Sequence, residues 1–121
     1  MKKILILEDF PMHQQRYSSL LKDEDCEVTI KSNGFLGLVA LLNEKSFDGV
    51  ITDEHMPKMN GTQFIHAIKN RYSKHFSNLP VLIHTMSSLE IEESRVRDYS
   101  RVYSHKKTKD TTYIKDFLQV I

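Results

Sequence analysis

Acidic residues stand where apolar runs stop. Glu8 and Asp9 follow KILIL at 3–7, and Asp53, with Glu54 behind it, follows FDGVIT at 47–52. Two other reactive groups occupy like positions: Thr85 closes LPVLIHT at 79–85, and Lys106 and Lys107 follow RVYSH at 101–105. If these ends meet, three carboxylates, a hydroxyl and an ammonium ring one shallow cleft. Carboxylates so close repel one another unless a cation occupies the space. Oxygen ligands without cysteine or clustered histidine suit a hard ion, and Mg²⁺ with several retained waters is the expectation. Beside that ion Asp53 is a candidate nucleophile toward phosphorus, since carboxylates serve as phosphoryl acceptors. A lysine would pair with the phosphoryl oxygens, and the Thr85 hydroxyl would donate to them. A lone Asp after a strand is ordinarily a solvated loop residue. The recurrence of reactive groups at successive run ends argues for chemistry instead.

The elements that must position these groups alternate along the chain. The three strong apolar runs are short, rich in branched residues and closed by polar ones, as strands buried on both faces are. CEVTIKS at 26–32 alternates and reads as an edge strand, and RVYSH as a weaker fifth. Helical spacing fills the gaps: Met12, Arg16, Leu20 and Leu21 after Pro11; Phe35, Leu38, Val39, Leu41 and Leu42 after Asn33-Gly34; and Phe64, Ile65 and Ile68 after Gly61. Ser87 and Glu90 have capping-box spacing for a fourth helix with sparse apolar positions, Leu89, Ile91, Val96 and Tyr99. Ile114, Phe117, Leu118 and Ile121 complete a fifth. Such alternation predicts an α/β sandwich of three layers, a five-stranded parallel sheet between helices. Ligands of such sheets collect beyond the carboxyl ends of the strands.

Composition narrows the function classes. The 121 residues suit one domain spanning 1–121, and a formal net charge of +1 recommends neither nucleic acid nor an anionic membrane as partner. The basic residues Arg95, Arg97, Arg101, Lys106, Lys107 and Lys109 are interrupted by Glu92, Glu93, Asp98 and Asp110, so direct DNA binding is not expected. The apolar run after Lys2-Lys3 is too short for an export signal, and no stretch is long enough to enter a membrane. Cys26, the single cysteine, permits no intrachain disulfide, which fits a cytoplasmic location. His55 and His84 lie near the expected cleft but lack paired zinc-ligand spacing.

The stretches ILILEDFP, ITDEHMPKMNG, PVLIHTMS and the weaker VYSHKK resemble the receiver domains of bacterial two-component response regulators. The likeness is to the stand-alone type similar to the chemotaxis regulator. It implies a flavodoxin-like sheet in order 2-1-3-4-5 with five surrounding helices. It implies that Asp53 accepts a phosphoryl group from the phosphohistidine of a sensor histidine kinase or histidine phosphotransfer protein. Glu8, Asp9 and Asp53 would hold Mg²⁺ together with the backbone carbonyl of His55. Thr85 would swing toward the phosphoryl group and Tyr103 would move inward behind it. Lys106, three residues after Tyr103, would be the site lysine, with Lys107 the alternative if the register slips by one. His55, Met86 and Ser87 occupy positions that modulate the site. The resemblance further implies that such a domain catalyses only its own phosphorylation and dephosphorylation. Its output would be read by a downstream protein target from the fourth helix, fifth strand and fifth helix.

Several residues depart from the family pattern. Lys107 stands where a proline is usual after the lysine, Met86 where a small residue follows the switch threonine, and Glu8 where Asp is commoner. Met86 and Lys107 support an alternative reading, a degenerate receiver that binds proteins without being phosphorylated. A small aspartyl-phosphate phosphatase is a third class. It wants a second Asp two residues after the nucleophile, where this chain has His55.

Overall fold

The computed structural model describes residues 1–86 and 94–121. Five parallel strands, β1 (Lys2–Leu7), β2 (Cys26–Lys31), β3 (Gly49–Thr52), β4 (Val81–Thr85) and β5 (Val102–Lys106), form one sheet in the order β2-β1-β3-β4-β5. This is the flavodoxin-like order, and its reversal point lies between β1 and β3. Leu7 pairs with Lys31 on one side and Thr52 on the other, so Glu8-Asp9 and Asp53 leave the sheet side by side. Farther along the same carboxyl edge, Thr85 pairs with Lys106.

Helices α1 (Pro11–Leu21), α2 (Gly34–Asn43), α3 (Gly61–His66), α4 (Ser73–Phe76) and α5 (Thr112–Val120) cover the sheet. Between α3 and α4 the chain winds as a π-helix over Ala67–Arg71, a widening that the sequence pattern did not announce. The helix expected to open at Ser87 and Glu90, and Ser87 itself as a site modulator, lie outside the described residues. Ser94–Val96 are helical, and Val96 is buried.

Strand alternation divides the core into two. Leu5, Leu7, Val50, Val81 and Ile83 pack one face against Leu41, Phe64, Ile65 and Ile68. Ile4, Ile6, Ile51 and Leu82 pack the other against Tyr17, Leu21, Ile114, Phe117 and Leu118. Fully burying an aliphatic side chain of this kind stabilises by about 1.5–3 kcal/mol, so these runs anchor the strand ends that carry the polar groups.

Helix α2 departs from the expected face. Leu41 is buried and Leu38 and Leu42 pack at its margin, but Phe35 and Val39 are exposed. The reason lies in two glycines: a Cβ at Gly37 would stand 2.3 Å from Leu7 Cδ2, and one at Gly34 would stand 2.5 Å from the Met59 carbonyl oxygen. The helix approaches the sheet through its glycine edge, which rotates Phe35 and Val39 outward.

Candidate functional site

At the carboxyl edge of the sheet, Glu8, Asp9 and Asp53 each place a carboxylate oxygen within 4.8 Å of the others. Glu8 continues the alternation of Ile4 and Ile6 and is fully buried, whereas Asp9 is exposed and Asp53 half-buried. Lys107 enters the same space. Its Nζ donates to Glu8 Oε1 at 2.6 Å and to Asp53 Oδ2 at 3.3 Å, and its side chain is 5% exposed. One oxygen of Asp53 is fixed locally, because Oδ1 accepts from the Glu54 backbone N–H at 2.7 Å.

Of the two lysines expected here, Lys106 with Lys107 as the alternative, it is Lys107 whose ammonium reaches the carboxylates. Side chains alternate across a sheet, so a slip of one residue moves a group to the opposite face. Lys106 pairs with Thr85 and is exposed; the next residue turns back into the site. A ladder bond from the Lys107 N–H to the Thr85 carbonyl, 2.9 Å, carries the strand register one residue past β5 and fixes that turn.

The same parity bears on Tyr103. It pairs with Leu82 and sets its ring edge-on to Phe117 of α5, 6.0 Å between centroids. Thr85 continues the alternation of Val81 and Ile83, toward the opposite face, and is fully buried. Tyr103 therefore lies on the face opposite Thr85. The residue on the Ile83 side is Ser104, its pairing partner.

Of the expected modulators, the His55 side chain is exposed, and so is Met86. Met86 lines a cavity of about 270 Å³ with His13, Arg16, Lys107, Thr108 and Lys109, which puts it at the basic margin of the acidic cluster.

Three further residues shape the site, and one of them, His13, escaped the sequence reading. His13, on the first turn of α1, brings Nδ1 to 3.0 Å from Lys107 Nζ and 3.3 Å from Glu8 Oε1. Its place four residues after Asp9, just past Pro11, was the available signal. Glu54 turns away from the cleft and is buried, with Oε1 accepting from the Thr62 N–H at 2.6 Å and the Thr62 hydroxyl at 2.8 Å. It thus ties the start of α3 to the residue after Asp53, and Arg95 approaches its other oxygen at 3.9 Å. His84, one residue before Thr85, lies buried between the hydroxyls of Tyr17 at Nδ1 and Tyr113 at Nε2. Burial, and then the Lys107 ammonium, hold its pKa down at about 3. A neutral ring has one N–H and one lone pair, which matches two phenols. Burial likewise pushes both phenols up, with the Glu8 carboxylate adding to the effect at Tyr17.

The donor set fits a hard divalent cation: oxygen atoms only, close together, at a rim with one exposed member that leaves room for water. A soft metal would find neither thiolate nor paired imidazole among the described residues of this cluster.

The model of the response regulator receiver domain matches residues 4–109. Chemotaxis protein CheY of Pseudomonas aeruginosa is 31% identical over 83 residues, which cover 69% of this chain and 65% of that protein. The matched stretch therefore spans slightly less than two thirds of the relative's length. Among solved structures, CheY4 of Vibrio cholerae superposes with a TM-score of 0.84 at 24% identity, covering 100% of this chain and 98% of the other. The receiver domain of a Pseudomonas aeruginosa sensor histidine kinase, which carries a magnesium ion coordinated in its active-site cleft, gives 0.84 at 18% identity over 98% and 95%. A family match over most of the length, on a sheet whose reversal point gathers Glu8, Asp9 and Asp53, means that this chain belongs to the response regulator receiver domains.

Proposed function

We propose that this domain is a phosphoacceptor, with Asp53 as the residue phosphorylated. The observation that carries the reading is the placement of Lys107 Nζ between Glu8 and Asp53 inside a cluster of three carboxylates. A carboxylate beside an ammonium and a cation-ready oxygen set is equipped to take a phosphoryl group and to stabilise it.

The donor is a phosphohistidine on a sensor histidine kinase or histidine phosphotransfer protein. An Asp53 oxygen attacks phosphorus, the P–N bond breaks, and the imidazole leaves with the bonding pair. The Glu54 N–H orients the Asp53 carboxylate during attack, and the Lys107 ammonium pairs with the phosphoryl oxygens. Thr85, buried at the end of β4, would donate its hydroxyl to the phosphoryl group. Glu8, Asp9, Asp53 and the His55 carbonyl would hold Mg²⁺, which neutralises charge on the transferring group when bound. Water then hydrolyses the acyl phosphate, so the domain turns over only itself.

Phosphorylation adds about −1.5 to −2 charge at one point. The output is read by a downstream protein from the segment around 87–99, β5 and α5. Arg95 beside Glu54 supports this route, since it ties that segment to the residue next to Asp53.

Incubation with acetyl phosphate and Mg²⁺ tests the reading. Intact mass should rise by about 80 Da, one phosphoryl group, in the parent and not in Asp53→Asn. No gain in the parent, or an equal gain in the variant, rejects Asp53 as the acceptor.

A further inference from the structure

We propose that His13 is a positioning residue that keeps the Lys107 ammonium over Asp53 while Glu8 serves the divalent cation. This inference rests on the phosphoacceptor reading above. An ammonium offers three hydrogens and no lone pair. Those of Lys107 face three acceptors from three elements: Glu8 Oε1 after β1 at 2.6 Å, His13 Nδ1 on α1 at 3.0 Å, and Asp53 Oδ2 after β3 at 3.3 Å. The same Nδ1 lies 3.3 Å from Glu8 Oε1, farther than from the ammonium; because lysine only donates, the contact with Lys107 takes the Nδ1 lone pair.

The three acceptors differ in what else they do. Glu8 belongs to the group of carboxylates that could hold a cation, and its Oε2 already accepts from the Phe10 N–H at 3.2 Å. A cation drawing on Glu8 competes with the ammonium for the same carboxylate, and the two positive charges repel. Asp53 changes identity once phosphorylated. His13 alone lies outside the carboxylate group and keeps the same acceptor atom throughout. Its ring is steadied edge-on against Phe10 at 4.9 Å between centroids. Lysine is a flexible point donor on a four-carbon stem, so a fixed acceptor outside the carboxylate group decides where its head stays when Glu8 serves the metal.

Titration of the full chain with Mg²⁺, and then with beryllofluoride as a phosphoryl mimic, separates the cation from the lysine, with amide chemical shifts as readout. His13→Ala should weaken beryllofluoride binding at saturating Mg²⁺ about tenfold, the scale of one hydrogen bond to a charged group. Its affinity for Mg²⁺ alone should stay within about twofold, because a neighbour of the lysine is removed and no ligand is. His13→Asn, whose carboxamide oxygen falls near the place of Nδ1, should recover most of the loss. In a Lys107→Ala background the His13 change should add nothing. The inference is overturned if His13→Ala binds beryllofluoride like the parent, if the loss persists without Lys107, or if Mg²⁺ affinity falls equally. A parent that takes up neither Mg²⁺ nor beryllofluoride overturns the phosphoacceptor reading instead.

Discussion

Lys107 Nζ stands 2.6 Å from Glu8 Oε1, joining two residues that lie 99 positions apart in the chain. Both side chains are almost fully buried, so the pair sits where water screens it little. The contact gives the acidic cluster an internal counter-charge and sets lysine and cation in competition for one carboxylate. It also favours Lys107 over its neighbour Lys106 as the lysine of the site.

The two lysines should therefore behave differently. Lys107→Ala should slow acetyl-phosphate labelling of Asp53 by about 100-fold, as loss of one fixed donor to a developing anion does. Lys106→Ala, an exposed change, should stay within about twofold. Time-resolved intact mass at fixed Mg²⁺ reads both, and the reverse ranking would return the site to Lys106.

Removing Lys107 also leaves Glu8 buried without its ammonium. Breaking a buried pair from one side costs about 3–5 kcal/mol, so Lys107→Ala should lower the urea midpoint markedly. Mg²⁺ supplies replacement charge, and at ten times its dissociation constant a ligand specific for the folded state adds about 1.4 kcal/mol. Urea titrations with and without Mg²⁺ should show this rescue in Lys107→Ala and its loss on adding Glu8→Gln.

Gly61 is a close-approach glycine. A Cβ there would lie 2.4 Å from the Asp53 carbonyl oxygen and 3.2 Å from Glu54 Cα, both backbone atoms that cannot swing aside. Gly61→Ala should destabilise by about 1–3 kcal/mol, the range for overpacking. It should also slow labelling of Asp53, since the strain falls on the residue that orients the carboxylate. Thermal melting beside the mass assay checks both, and wild-type values in both would remove this contact from the account.

His84 predicts an acid weakness. Its folded pKa is depressed to about 3, while in the unfolded chain it protonates near 6.5. The stability tied to its neutral form is thus fully present above about pH 6.5 and is lost as pH falls toward 3, with a slope of at most about 1.4 kcal/mol per pH unit. Between pH 7.5 and 5, the parent should lose about 1–2 kcal/mol more than His84→Gln, which has no such proton to take up. Equal losses in the two proteins would mean that the buried imidazole is protonated in the fold.

The strands, most of the helices and the acidic cluster were legible because their signals are local. An apolar run of Ile4–Leu7 marks a strand wherever it lies, and the polar residue that ends it must sit at the strand's end. A parallel sheet then brings such ends together. What the sequence alone determined is therefore the presence of Glu8, Asp9 and Asp53 at one edge. The choice between Lys106 and Lys107 rests on something non-local, the register of β5 against β4, and one residue of slip reverses every face. Resemblance placed Tyr103 toward Thr85, whereas the pairing of Leu82 with Tyr103 turns it to α5. His13 and Glu54 became site residues only through the packing of α1 and α3, because a half-buried imidazole or a second acid in a loop has no local pattern to betray it. Pattern fixes which residues end a strand; only packing and register decide which way their side chains face.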